Sequence, residues 1–273
     1  SLMMPNKEDL LTTKEMAKFV ADGFLRFDEI VPAELNKRAL EQMEAGIERP
    51  NGGDPLKGMW AGNAIGEVVN LPRIQGIMAS LVGTDPLYDH HAVHMVQPNR
   101  EEGQIWHADA IIDLRTPFDV QFFYFPHDTP REMGGTMVLP GSHYRRISES
   151  DIARYQNFLG QAPMVCKAGT VMVAHHGIWH CAQPNLTEQT RYMFKLRLNP
   201  TVRQLKLWNM DDIDDPEIGN ELNANHRWYG NEARLEIVNR IKLWRHLTGN
   251  EKFDLGYWLS RLENEPEAAA LVA

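Results

Sequence analysis

The stretch Phe-Asp-Val-Gln-Phe-Phe-Tyr-Phe, residues 118–125, carries the strongest fold signal in the chain. Nearly all of its residues are aromatic or β-branched, and these residues fall on both faces of an extended chain. Such side chains favour strands, and a strand that is apolar on both faces is typical of the middle of a covered sheet. We therefore predict that this stretch forms a central strand.

Further short strand-like runs lie on both sides of this stretch, separated by turns rich in Gly and Pro. The predicted strands cover residues 92–97, 105–112, 118–126, 135–139, 164–166, 169–174, 178–182 and 190–198. Strands at this density, without long helices between them, indicate a β-sandwich or barrel and not βαβ units. The fold class expected for residues 88–200 is therefore mainly β.

Helical patterns flank this β region. In the N-terminal part, residues 12–87, Thr12 and Glu15 have the spacing of a capping box, Phe-Leu-Arg-Phe at 24–27 suggests a short strand, and another helix is expected after Pro32. In the C-terminal part, residues 201–273, a helix over 231–247 has one apolar stripe. The stripe consists of Leu235, Val238, Ile241, Trp244 and Leu247, and a second helix is expected to carry Leu255, Trp258 and Leu262. We expect one domain over residues 1–273.

Composition narrows the possible partners. The 273-residue chain has a formal net charge of −9, from 28 basic and 37 acidic residues. This balance disfavours nucleic acid and anionic membranes as partners, because like charges repel. Two cysteines, no apolar leader and no apolar run of membrane-spanning length favour a cytoplasmic protein.

The most informative polar motif is His107-Ala-Asp109. Residues i and i+2 of a strand point to the same face, so His107 and Asp109 can bind one side of a metal ion. A further histidine would complete the two-histidine, one-carboxylate triad of non-haem Fe(II) oxygenases. His180 is the candidate, with His175 and His176 as rivals. Taken alone, the motif is better explained as an ordinary surface pair, because a His-x-Asp triplet occurs by chance in many chains.

Several motifs in order resemble the phytanoyl-CoA dioxygenase family over roughly residues 12–200. They are His107-x-Asp109, the run from Gly134 to His143, His180, and Arg191 eleven residues later, together with an entry segment that begins at Asp22-Gly23. Members of the family are Fe(II)- and 2-oxoglutarate-dependent oxygenases with a double-stranded β-helix (jelly-roll, cupin-like) core. The resemblance implies this core at 88–200, with N-terminal helices and a C-terminal helical extension.

The resemblance also implies roles for individual residues. His107, Asp109 and His180 would bind Fe(II), and Arg191 would pair with the distal carboxylate of 2-oxoglutarate, as a planar guanidinium can. The expected reaction uses O2 to oxidise a C–H bond and releases succinate and CO2. Related halogenases have a small residue where this chain has Asp109, so the carboxylate favours hydroxylation, desaturation or ring closure over halogenation.

Three positions leave questions open. Arg191 shares a strand face with Met193, Lys195 and Arg197, and this basic face could point to solvent instead of into the core. Gln97 stands where the family often has a lysine, and it could still donate a hydrogen bond to 2-oxoglutarate. Ala182 replaces a frequent serine and cannot donate one.

Other functions remain compatible with the sequence. A jelly roll could bind metal and act as a lyase or isomerase without 2-oxoglutarate, a non-catalytic protein could bind a ligand, and a zinc hydrolase could use the same triad. We expect a small, mostly apolar metabolite as substrate, since the sequence locates no basic patch for an acyl-CoA. The C-terminal helices could form a homodimer.

Overall fold

The computed structural model describes residues 5–47, 60–110, 116–145, 152–226, 228 and 230–249. Its strands are β1 (Phe24–Phe27), β2 (Leu87–Val96), β3 (Val120–Phe125), β4 (Thr136–Val138), β5 (Ala162–Pro163), β6 (Thr170–His175), β7 (His180–Ala182) and β8 (Arg191–Asn199). They form a five-stranded sheet in the order β1-β6-β3-β8-β2 and a three-stranded sheet in the order β5-β4-β7. All of the strand pairs are antiparallel. These described strands make two sheets and no closed barrel.

The five-stranded sheet is covered on both faces, with β3 at its centre. Every residue of β3 is buried, as predicted for residues 118–125. Phe122 and Tyr124 pack in the core shared with the helices. Phe123 and Phe125 lie on the opposite face, in a smaller core that includes Val138 of the second sheet. The two sheets therefore pack face to face, and the helices cover the outside of the larger one.

The described residues form six α-helices: α1 (Thr13–Asp22), α2 (Ala33–Glu44), α3 (Ala64–Val69), α4 (Pro72–Val82), α5 (Glu217–Leu222) and α6 (Gly230–Thr248). The predicted capping box is present, because Thr12 and Glu15 exchange hydrogen bonds at the start of α1. The strand at Phe24–Phe27 and the helix after Pro32 are also confirmed. Among the described helices, none is long and apolar enough to cross a membrane.

The apolar stripe predicted for α6 is only partly right. Ile241, Trp244 and Leu247 are buried in the main core, and Val238 packs against it. Leu235 is wrongly included, since it is 37% exposed on the first part of the helix. The predicted second helix, with Leu255, Trp258 and Leu262, lies outside the described residues.

Two predicted strands are wrong in the described chain. Residues 105–110 contain only one isolated bridge, His107 to His180, while residues 111 and 112 are outside the described part. The strand predicted at 164–166 is likewise reduced to a bridge from Cys166 to Thr129. No continuous strand forms at 105–110, because the backbone at 100–107 hydrogen-bonds to the segment at 180–185 only at separate points.

Candidate metal centre and cavity

The backbone brings His107 and His180 together directly. Each donates its backbone N–H to the carbonyl of the other, at 3.1 Å from His107 and 2.9 Å from His180. Their ring centroids are 4.5 Å apart. Two residues that exchange both backbone hydrogen bonds sit opposite each other and project to the same face. This pairing places both imidazoles at the edge of β7.

Both rings are oriented by backbone carbonyls two residues earlier in the chain. His107 Nδ1 lies 2.8 Å from the carbonyl of Ile105, and His180 Nδ1 lies 3.0 Å from the carbonyl of Ile178. Because a carbonyl only accepts, each Nδ1 must carry the proton, which leaves the Nε2 lone pair for a metal. Burial also lowers the pKa of His180 to about 4, so this imidazole is neutral near pH 7.

Asp109 supplies the carboxylate between the two rings. Its Oδ1 is 3.5 Å from His107 Nε2, and its Oδ2 is 3.6 Å from His180 Nε2. One ligand atom from each of the three residues lies within 4.8 Å of the others. A metal that binds such ligands at about 2 Å can span these separations. The donor set is that of the facial triad.

Two side chains hold the Asp109 carboxylate. Lys195 Nζ and Gln121 Nε2 each donate to Oδ2 at 2.8 Å. Burial disfavours the charged form of Asp109, but the neighbouring His180 and Lys195 outweigh it, so the pKa stays below its ordinary value. With Oδ2 held by two donors, Oδ1 is the oxygen left for a metal ion.

The rival histidines have other contacts. The backbone N–H of Gly177 donates to Nδ1 of His175 at 2.9 Å, and the His175 ring stacks on Phe118. His176 Nδ1 lies 3.1 Å from the amide of Gln121. His175 and His176 therefore belong to the surroundings of the site. Among the described residues, His107, Asp109 and His180 are the group whose ligand atoms converge.

The three converging residues open into a cavity of about 480 Å³ between the sheets. Arg191, Met193, Lys195 and Arg197 of β8 line it, and so does Phe123 of β3. The other face of β8, with Phe194, Leu196 and Leu198, is buried in the main core. The open question about the basic face of this strand is thus answered, since it points into the cavity and not simply to solvent.

Arg191 is buried where the cavity meets the second sheet. Its Nη1 donates to the carbonyls of Met133 at 2.6 Å and Gln183 at 3.0 Å, and burial lowers its pKa to about 10. It remains charged near pH 7. Gly134, which has a φ of 91°, makes this position possible, because a Cβ there would overlap with Nη1 of Arg191.

The structure does not bring Gln97 into the described site. Gln97 follows β2, is exposed, and places its amide 3.9 Å from the sulfur of Met95. Ala182 does line the cavity. Three histidines of β2 also lie near the site: His90 and His94 line the cavity, whereas His91 accepts a hydrogen bond from Trp60 in the core.

Sequence reasoning missed the contacts of Asp109 with Lys195 and Gln121. The signal for Lys195 was present, because it shares a strand face with Arg191. If Arg191 points inward, alternation requires Lys195 and Arg197 to do the same. No local pattern marks Gln121, an amide in an otherwise apolar strand.

The two packed sheets and the three converging side chains define the class of protein, a jelly roll with a two-histidine, one-carboxylate centre. The model of the phytanoyl-CoA dioxygenase (PhyH) family matches residues 19–193, more than half of the chain. The chain therefore belongs to this family, and the resemblance in its sequence motifs is confirmed. The predicted cofactors, Fe(II), 2-oxoglutarate and O2, are those of the family. A search of the curated proteins found no match.

Solved structures with the same fold include enzymes of several reaction types. The epimerase SnoN from nogalamycin biosynthesis is 17% identical, with a TM-score of 0.54, covering 69% of this chain and 80% of its own. The carbocyclase SnoK from the same pathway is 17% identical, with a TM-score of 0.52 and coverage of 72% and 87%. The monooxygenase ThoJ, in a nickel complex, is 18% identical, with a TM-score of 0.52 and coverage of 84% and 98%.

At these identities the structural similarity establishes the fold. It confirms the predicted class, a mainly β jelly roll with flanking helices. Family membership places the chain among non-haem 2-oxoglutarate-dependent enzymes. SnoN and SnoK are both described as non-haem and alpha-ketoglutarate dependent, yet one is an epimerase and the other a carbocyclase. The reaction type must therefore be argued from this chain's own residues.

Proposed function

We propose that this protein is an Fe(II)- and 2-oxoglutarate-dependent dioxygenase that hydroxylates a C–H bond of a small, mostly apolar metabolite. The observation that carries the proposal is the convergence of His107, Asp109 and His180 in a cavity that also contains Arg191. We further propose that residues 1–273 act as one dioxygenase domain.

The residues fit an iron ion by their chemistry. The imidazole nitrogens of His107 and His180 and one carboxylate oxygen of Asp109 would hold Fe(II) and leave positions for 2-oxoglutarate and O2. Bound together, these groups supply the oxidising power for C–H cleavage, with 2-oxoglutarate converted to succinate and CO2. The carbonyls of Ile105 and Ile178 keep the imidazoles oriented, as outer partners of metal ligands commonly do.

Arg191 is the proposed partner of the distal carboxylate of 2-oxoglutarate. Two backbone carbonyls fix its Nη1, so the guanidinium is ordered before the cosubstrate arrives. A buried guanidinium is costly unless it is paired with an anion, and the cosubstrate carboxylate would supply one. Neither Gln97 nor Ala182 places a side-chain hydrogen-bond donor near this carboxylate, so its binding depends mainly on Arg191.

The remaining cavity residues position the substrate and exclude water. Phe123 and Phe125 form an apolar wall beside the metal ligands. Such a wall favours an apolar portion of the substrate and limits the water that could reach the reacting carbon. Asp109 at the ligand position supports hydroxylation over halogenation, since its carboxylate occupies the place that a halide would need.

Anaerobic titration with Fe(II) and 2-oxoglutarate tests the proposal. The wild type should develop the weak visible charge-transfer band of a chelated cosubstrate. His107→Ala and His180→Ala should abolish the band, because each removes a metal ligand. Arg191→Gln should retain Fe(II) binding but require at least about tenfold more 2-oxoglutarate, for the loss of a charge-assisted hydrogen bond.

His175→Ala is the matched control, since it removes a nearby buried histidine that is not a proposed ligand. It should keep the band. A wild type without the band refutes the proposal. If His175→Ala loses the band and His180→Ala keeps it, the third ligand is wrongly assigned. Metal-dependent turnover of a substrate without succinate formation would instead support a lyase or isomerase.

A further inference from the structure

One wall of the cavity carries basic side chains, of which only Lys195 contacts a proposed metal ligand, Asp109. The basic wall consists of His90 and His94 on β2 and Lys195 and Arg197 on β8, all of which line the cavity. His90 pairs with Arg197, and His94 pairs with Met193. Since directly paired residues of antiparallel strands project to the same face, the four side chains form one continuous patch.

Within the basic wall, Lys195 lies at the metal centre and Arg197 lies beyond it, away from Arg191. Lys195 contacts Asp109, and Gln121, the strand partner of Arg197, contacts the same carboxylate. Arg191 lies four residues before Lys195, which is about 13 Å along a strand. A cosubstrate held by Arg191 would therefore lie towards one end of β8, leaving the Arg197 end to the substrate.

The charge of the cavity is opposite in sign to that of the protein. Arg100, Arg191, Lys195 and Arg197 line it, against only Glu102 and Asp109 among the described lining residues. The whole chain carries a formal charge of −9. A cleft lined by one sign of charge attracts ligands of the other sign. Fe(II) and Arg191 would balance the charges of Asp109 and 2-oxoglutarate, which leaves Arg100, Lys195 and Arg197 against Glu102 among the described lining residues.

Arg197 is available to a ligand at small cost. Its carboxylate partner is Asp89, whose side chain is 44% exposed, and its Nη1 also lies 3.5 Å from Nε2 of His176. Such exposed pairs contribute little, because water and salt screen them. Lys195 is more enclosed, with its side chain 12% exposed. A neutral substrate that covered it would remove its remaining water without replacing it, which is unfavourable for an ammonium group.

We propose that the substrate of this centre carries an anionic group, a carboxylate or a phosphate, bound by Arg197 and Lys195 on the side of the metal away from Arg191. The inference rests on the proposed function and adds to it: the mostly apolar metabolite has an acid group at one end. A guanidinium can hold either anion through two parallel hydrogen bonds. Phe123, which lies beside Lys195 in the register, would contact the apolar part.

The test uses three probes that share an eight-carbon chain: octanoate, octyl phosphate and octanamide. The anaerobic enzyme is loaded with Fe(II) and saturating 2-oxoglutarate, so that Arg191 is occupied. Dissociation constants are measured by calorimetry and by the shift of the charge-transfer band. We expect at least one anion to bind at least about tenfold more tightly than octanamide, and the stronger of the two identifies the acid group.

Arg197→Gln should reduce the preference for the anion over octanamide by about tenfold, and Arg197→Lys should restore part of it. Both variants should keep the charge-transfer band of Fe(II) and 2-oxoglutarate. Arg26→Gln is the matched control, because Arg26 of β1 forms a comparable ion pair with Asp28, which follows the strand. Its preference should equal that of the wild type. Failure of both anions to bind, or equal binding of octanamide, overturns the inference when the band is present. A missing band in the wild type overturns the proposed function instead.

Discussion

The protein contains two clusters of buried charged and histidine side chains, and they differ in what their polar atoms contact. The metal-centre cluster consists of His107, Asp109, His180, Gln121 and Lys195. The docking cluster consists of Asp22, Arg145, His226, Glu236 and Arg240, and it joins the end of α1 and the turn at Ser142–Tyr144 to α6. Both clusters are mostly hidden from solvent, but of the two only the metal-centre cluster lines the cavity between the sheets.

In the docking cluster, the side-chain nitrogen and oxygen atoms that could bind a ligand are paired with other residues of the protein. Both ring nitrogens of His226 contact carboxylates, those of Asp22 and Glu236. Glu236 also pairs with Arg240 and, at 3.1 Å, with Arg145. The Arg145 guanidinium lies 3.3 Å from the centre of the Trp228 ring. These contacts connect α6 to the jelly roll, which is a structural role.

In the metal-centre cluster, by contrast, the Nε2 atoms of His107 and His180 face a carboxylate oxygen in the cavity, while each Nδ1 is bound to a carbonyl. Charge burial alone therefore does not distinguish a functional site from a structural one. The useful criterion is whether ligand atoms converge on a space that a ligand can enter.

The largest expected stability effect is in the docking cluster. Glu236→Ala leaves the guanidinium groups of Arg145 and Arg240 buried without their main carboxylate, so the free energy of unfolding should fall by about 3–5 kcal/mol. Urea denaturation measures this loss. Glu232→Ala is the control, since its side chain is 57% exposed and its pairing with Arg145 should be worth less than about 1 kcal/mol. Equal losses in the two variants would contradict the structural role given to Glu236.

The second prediction is a loss of Fe(II) affinity at the metal-centre cluster. Gln121→Ala removes a donor to Asp109 Oδ2, so the dissociation constant for Fe(II) should rise by about 10–100-fold, as for other outer partners of metal ligands. Anaerobic Fe(II) titration of the folded protein measures this. Gln204→Ala is the matched control, because Gln204 is an equally buried amide that bonds backbone groups of Leu81 and Phe118. It should lose stability and keep its Fe(II) affinity. A Gln121→Ala variant with unchanged affinity would show that Lys195 alone holds Asp109.

The sequence predicted the features that depend on local patterns of residues better than those that depend on distant segments. The central strand at 118–125 and the helix over 231–247 follow from local periodicity, and both are present. The facial triad was predicted because its three residues belong to a recognisable set of motifs. The strand expected at 105–112 was wrong in its described part, because its hydrogen bonds depend on a distant segment at 180–185.

Residues that act through distant partners were not predictable in this way. The alternation of side chains along β8 correctly predicted its two faces. Only the packing of the helices against the apolar face shows that the face with Lys195 lines the cavity. Leu235 was expected in the core and Glu236 was not considered, yet Glu236 is the buried residue. A buried charge is stable only with its partners in place, and those partners come from other parts of the chain.

The smallest expected effect is a pH dependence within the docking cluster. Burial disfavours protonation of His226, but its bonds to Asp22 and Glu236 outweigh burial and the nearby Arg240, and its pKa is raised above the ordinary value of 6.5. The protonated ring thus stabilises the folded state fully below pH 6.5, and this contribution is lost as the pH rises through the folded pKa. The pKa values of Asp22 and Glu236 are lowered, so both carboxylates stay charged over this range and lose their contribution only in acid.

Urea denaturation from pH 6 to pH 9 should therefore show the wild type losing stability relative to His226→Gln. At pH 6 the variant should be less stable by about 1–3 kcal/mol, for the loss of hydrogen bonds to charged groups. The gap should narrow as the pH rises, because the neutral wild-type ring no longer donates to both carboxylates. Parallel pH profiles of the two proteins would mean that His226 does not bind its extra proton more tightly in the folded state, and that its contacts with Asp22 and Glu236 act as neutral hydrogen bonds.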